Sequence, residues 1–217
     1  HQRDRQDRTP LVLLGERLVK SADSVAIDSR AAARAATDHL VGLGRRRIGV
    51  IGAPPRSRRE IRQPQEAGRR HVGYEKALEA AGLPYDPQLV ITQPRHNPEE
   101  VASAVDRLLS LPEMVDAVFC FNDRVALGTI RELISRGLGV PDDVAVIGID
   151  NIEGARLSTP SLSTIAPDKE GIARQAVEML VERIGGGDRA ARQVVAGFEL
   201  IPRESTLGII PAGSRAG

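Results

Sequence analysis

Side chains fit to grip a small polar molecule stand in four places, each just after a short apolar run rich in β-branched residues. Asp150 and Asn151 follow the run 144–149, and Asn122 and Asp123 follow 116–121. Arg95 and His96 follow 88–92, and Arg70 closes the Arg-rich stretch that follows 47–51. Asp and Asn accept and donate paired hydrogen bonds and Arg clamps oxygens, so this set suits a polyhydroxylated or acidic ligand. It suits catalysis poorly. The histidines His1, His39, His71 and His96 show no metal-ligand spacing, and the sequence has neither a GxSxG nucleophile turn nor a GxxxxGK phosphate loop. No enzyme activity, cofactor or metal is expected.

Each candidate also has a structural reading. Asp123 is either a ligand contact or the N-cap of the helix it opens, and Asn122 could serve the turn alone. Asp150-Asn151 is a common turn composition. Arg70 sits at a helix start, where the dipole disfavours a cation, and that misplacement favours a functional role. His39, near the end of an Ala-rich helix, reads as structural.

Apolar runs alternating with helical patterns must position these turns. An Ala-rich helix over 29–43 ends at Gly44 and leads straight into the run 47–51. A helix over 70–81 stops at Gly82-Leu83-Pro84, and the strand 88–92 follows. Asn97-Pro98-Glu99-Glu100 opens the next helix with an N-cap, an N1 proline and an acidic first turn. Then come strand 116–121, helix 123–136, and strand 144–149, whose wholly apolar run suits a sheet covered on both faces. This is the grammar of a doubly wound α/β fold, in which ligands bind beyond the carboxyl ends of the strands. From 158 onward the pattern predicts strand 162–165, helix 168–184, a turn at Gly185-Gly186-Gly187, one strand over 193–200, and a disordered tail from 207. The stretch 53–68, rich in Arg and Pro and without periodicity, reads as a surface insertion or a lid.

With 217 residues, 41% of them hydrophobic, the chain can build a sizeable core in one large domain or two small ones. No run approaches the roughly 18 apolar residues of a membrane span. A net charge of +1 does not recruit nucleic acid, so any DNA contact would lie elsewhere. The single cysteine, Cys120, excludes a disulfide within the chain and reads as a buried core thiol.

The turns carry a resemblance. Phe121-Asn122-Asp123-Arg124-Val125-Ala126-Leu127-Gly128 and Val140-Pro141-Asp142-Asp143-Val144-Ala145-Val146-Ile147-Gly148-Ile149-Asp150-Asn151 resemble the signature core of LacI/GalR transcription regulators. Further matches are His39-Leu40, Gly44-Arg45-Arg46-Arg47-Ile48, Arg70-His71-Val72-Gly73-Tyr74, Leu157-Ser158-Thr159-Pro160-Ser161 with Leu162-Ser163-Thr164-Ile165, and Pro202-Arg203-Glu204-Ser205-Thr206. The resemblance covers 10–206 and implies a periplasmic-binding-protein-like fold of two doubly wound parallel-sheet subdomains joined by three crossovers, with the effector in the cleft between them.

By that resemblance, 1–44 and the helix segment 167–190 belong to an N-terminal subdomain, here incomplete, and 45–166 and 191–206 to the C-terminal one. The family's helix-turn-helix headpiece does not precede Pro10, so operator DNA would be reached only through a part absent from this chain. The implied protein is a cytoplasmic homodimer that answers a small sugar or polar, anionic metabolite. Arg70, Asn122 and Asp150 match the family's effector contacts. Two departures bear on the effector: Arg95 or His96 stands where relatives often place an aromatic ring, and Pro167 where a Gln is common. A cation in place of a ring favours a phosphate or carboxylate on the ligand. A periplasmic solute-binding protein of a transporter shares the fold and is the second reading.

Overall fold

The computed structural model describes residues 9–15, 22–53, 66–92, 97–185 and 190–208. Arg95 and His96, most of the Arg-rich stretch (54–65), Gly186 and Gly187, and the tail from 209 lie outside them. The elements in chain order are β1 (Val12–Leu14), β2 (Asp23–Ile27), α1 (Ser29–Gly42), β3 (Ile48–Ala53), α2 (Glu66–Ala80), β4 (Val90–Thr92), α3 (Pro98–Leu109), β5 (Ala117–Cys120) and α4 (Asp123–Ser135). There follow β6 (Ala145–Ile149), α5 (Glu153–Leu157), β7 (Ser163–Pro167), α6 (Lys169–Ile184), β8 (Gln193–Ala196), β9 (Phe198–Ile201) and α7 (Glu204–Leu207). They form two compact units, 1–28 with 168–197 and 29–167 with 198–217. The chain passes between units after Asp28, Pro167 and Gly197.

The larger unit is built on a six-stranded sheet in the order β4-β3-β5-β6-β7-β9, parallel except that β9 runs antiparallel to β7. Helices α3 and α4 pack on one face of it, and α1 and α2 lie together on the other. Residues of β5 and β6 are buried on both faces, which explains their unbroken apolar runs. On the α3/α4 face, Val118, Cys120 and Val146 meet Val101, Val105, Leu108, Val125, Ile130 and Leu133. Cys120 is fully buried there, and burial pushes its thiol up to about 12, far from the range of a reactive thiolate.

The first boundary differs from the expected one, because α1 belongs to the larger unit and the break falls after Asp28 instead of Gly44. The cause is a close helix crossing. Ala32, Ala33, Ala36 and Thr37 form a buried small-residue face on α1, and a Cβ at Gly73 of α2 would lie 2.2 Å from the carbonyl oxygen of Arg30. Only glycine lets the two backbones approach so closely.

The smaller unit has a parallel three-stranded sheet, β1-β2-β8, with α6 against it. Its core is Val25, Met179 and Ala196, edged by Val12, Ile27, Ile172, Ala176 and Val194. Strand β2 is absent from the periodicity, since its buried positions begin with the polar pair Asp23 and Ser24. The expected single strand over 193–200 is two. β8 pairs with β2, Gly197 breaks the run by giving its carbonyl to the Asp168 amide at 3.0 Å, and β9 joins β7 in the other sheet. Leu207, placed by sequence in the tail, closes α7.

Candidate functional site

In the larger sheet β3 is flanked by β4 and β5, so the connections leaving β3 and β4 run in opposite directions and the chain reverses its winding between β3 and β5. Crevices at such switch points are the usual ligand sites of open α/β sheets. The backbone is tightly drawn there. Gly52, at φ +109°, lies where a Cβ would come within 2.8 Å of the Phe121 Cβ, and the Phe121 amide donates to Ile51 O at 3.0 Å.

Arg70, in the second turn of α2, reaches this point and donates from Nη1 to the carbonyl oxygen of Phe121. The next residue, Asn122, is the N-cap of α4, its Oδ1 accepting from the Val125 amide at 2.9 Å. Phe119 pairs with Ile147 across β5 and β6, so Asn122 and Asp150, each three residues further on, leave the sheet at the same level. Arg70, Asn122 and Asp150 are therefore gathered at the carboxyl ends of neighbouring strands. All three are half-buried. Arg95 and His96 fall outside the described residues.

Asp123 is structural. It is completely buried in the first turn of α4, where its carboxylate accepts from the Ile152 amide at 2.9 Å and from the Thr164 hydroxyl at 2.6 Å. It lies so close to β6 that a Cβ at Gly148 would stand 2.3 Å from its Oδ1. The helix-cap role left open by the sequence belongs to Asn122, and Asp123 instead ties the start of α4 to the turn after β6.

That turn is held in an unusual conformation, with φ of 120° at Asp150 and 47° at Asn151. Such values cost non-glycine residues energy unless their surroundings impose them. Here three successive backbone amides are engaged: Asp150 N with Ile165 O at 2.9 Å, Asn151 N with Thr164 Oγ1 at 3.3 Å, and Ile152 N with Asp123. The Asn151 side chain accepts from Arg203 Nη2 at 2.8 Å.

Sequence reasoning missed Arg203 as a contributor to this region. It follows β9, and Nη1 donates to the carbonyl of buried Leu162 at 2.7 Å. Burial lowers its basicity, an effect opposed by the charge of Asp123 and reinforced by that of Arg156. Around it the segment 203–206 is stitched to β7. Ser163 Oγ accepts from the Arg203 amide, Ser205 Oγ accepts from the Ser163 amide and donates to Val146 O, and Glu204 accepts from both the amide and the hydroxyl of Ser161. His39 Nε2 meets Thr206 Oγ1 at 2.9 Å in the same network, and burial lowers the His39 pKa from 6.5. The signal for these contacts was the motif Pro202-Arg203-Glu204-Ser205-Thr206 itself, whose polar residues have no helical or strand periodicity of their own.

Among the described residues, no group of three or more His, Cys, Asp or Glu could hold a metal, and no helix is long and apolar enough to cross a membrane.

The fold has known relatives. The model of the periplasmic binding protein-like domain matches residues 37–206. A solved LacI-family regulator from Sanguibacter keddieii is 43% identical and superposes with a TM-score of 0.83, covering 94% of this chain and 74% of its own. The complex of the transcriptional regulator CelR with cellobiose is 33% identical, with a TM-score of 0.78 over 89% of this chain and 58% of its own. The transcriptional repressor PurR of Haemophilus influenzae (strain PittEE) is 38% identical over 178 residues, 81% of this chain and 51% of its own length. The chain thus spans about half the length of the curated relatives it matches. It belongs, through its periplasmic-binding-protein-like domain, to the LacI family of transcriptional regulators.

Proposed function

We propose that this chain is the effector-sensing part of a transcription regulator and that Arg70, Asn122 and Asp150 hold the effector, a sugar, sugar phosphate or related polar metabolite. The observation that carries this reading is the anchoring of Arg70 on Phe121 at the switch point, beside Asn122 and level with Asp150. Asp150 would accept from ligand hydroxyls, Asn122 would donate from its amide, and Arg70 would meet oxygens or a negative charge. Arg95 and His96 remain candidates on sequence grounds and favour an anionic group on the ligand. Effector binding would favour one state of the sensing domain and so change operator affinity through a DNA-binding headpiece, in a cytoplasmic homodimer. The relatives are regulators, and they support this reading over that of a transporter's solute-binding protein.

The experiment is isothermal titration of the protein expressed from its complete reading frame with D-glucose, D-gluconate and D-glucose 6-phosphate. The acid or the phosphate is expected to bind more tightly than the neutral sugar. Tight binding of D-glucose alone would overturn the anionic preference, and absence of binding by all three would overturn the ligand class.

A further inference from the structure

We infer that Arg203 is a positioning residue for the ligand rim: by holding Asn151 and the Leu162 carbonyl at once, it locks the Asp150–Asn151 turn in the conformation that presents Asp150. This rests on the reading of Asp150 as a ligand contact.

The geometry is that of a two-pronged brace. One nitrogen of the guanidinium donates to Leu162 O, immediately before β7, and another to Asn151 Oδ1, just after β6. The same guanidinium therefore ties the segment entering β7 to the turn leaving β6, and its planar fork holds both acceptors at once in a way a single-point ammonium cannot. The braced residue carries one of this turn's two positive φ angles, and its neighbour Asp150 carries the other. Backbone contacts to Ile165, Thr164 and Asp123 fix the amides of the turn, whereas Arg203 holds its side-chain end. Arg203 is itself fixed, since its amide donates to Ser163 Oγ at 2.7 Å and its carbonyl accepts from the same hydroxyl at 3.0 Å. The path thus runs from the C-terminal segment, through one side chain, to the residue beside the proposed contact.

The test is amide hydrogen exchange on the full 217-residue chain, comparing Arg203→Ala, Asn151→Ala, Asn151→Asp and the Arg203→Ala/Asn151→Ala double variant. Loss of a hydrogen bond to a charged group predicts exchange at 150–152 about tenfold faster or more in each alanine variant, with protection in α3 and β5 unchanged. Asn151→Asp keeps the acceptor and should retain protection. The double variant should exchange no faster than the faster single one, because both remove the same contact. Unchanged exchange at 150–152 in Asn151→Ala, or additive effects in the double variant, would overturn the proposal. If Arg203→Ala does not fold, Asn151→Ala decides alone. Unaltered sugar-phosphate binding in Asp150→Asn would sink the ligand reading and leave the brace standing, so the two failures are distinguishable.

Discussion

The two units solve the same packing problem with different means. In the larger one, a six-stranded sheet is covered on both faces, and Ile48, Ile51, Leu108, Phe119, Leu133 and Ile147 are all but inaccessible. Among the described residues of the smaller one, three strands and one helix bury the small cluster Val25, Met179 and Ala196, while Val177, Val181 and Ile184 of α6 and Val195 of β8 are each at least 60% exposed. The small unit also carries a polar clasp. Asp23, 1% exposed, takes Arg183 Nε at 2.9 Å, Arg183 Nη2 at 3.2 Å and the Arg192 amide at 2.6 Å, linking β2, α6 and the approach to β8. A continuous core can hold the proposed ligand contacts rigidly. Arg70, Asn122 and Asp150 all rise from the unit with the continuous core, as a preorganised site requires.

Substitutions can break or sharpen that contrast. Leu108→Ala should have the largest effect, destabilising the larger unit by about 3–4 kcal/mol through lost burial and an unfilled cavity. The same truncation in the small unit, Met179→Ala, should cost no more than about 2 kcal/mol, because a thin core collapses more readily around the gap. Equal losses in chemical denaturation would mean that the small core matters as much as the large one. Asp23→Ala should cost more than Met179→Ala, about 3 kcal/mol, since it strands a partly buried guanidinium. Exchange protection lost first in β2 and α6 would locate the effect; an Asp23→Ala chain as stable as the parent would remove the clasp from the account.

A smaller effect should follow pH. Burial depresses the His39 pKa below 6.5, so the unfolded chain takes up a proton before the folded one does. The contribution is fully present above pH 6.5 and is lost as pH falls from there toward the lowered folded value. Denaturation midpoints at pH 7.5 and 5.5 should therefore fall further apart in the parent than in His39→Gln, with the loss felt in the larger unit, where His39 meets Thr206. An identical pH response in the two chains would contradict this.

The fold of the larger unit was legible because its signals are local. The all-apolar β6 announced a sheet covered twice, and Asn97 caps α3 as its spacing to Glu100 required, with the Glu100 amide donating to Asn97 Oδ1 at 2.9 Å. The small unit was less legible, because β2 owes its place to pairing with β8 from far along the chain, and periodicity carries no record of such a partner. The break at Gly197 has the same origin, since a change of sheet is decided by two different neighbours. Asn122 and Asp150 could be marked as rim residues from strand ends alone. The burial of Asp123 and the reach of Arg203 to Asn151 depend on tertiary contacts between distant segments, which residue type does not encode.

The most direct test of the account follows backbone amide chemical shifts of the full 217-residue chain during titration with D-glucose 6-phosphate, for the parent and for Asp150→Asn. Shifts centred on 121–123, 150–152 and the start of α2 are expected, strongly weakened in the variant. Shifts centred elsewhere, or a response that Asp150→Asn leaves intact, would contradict it.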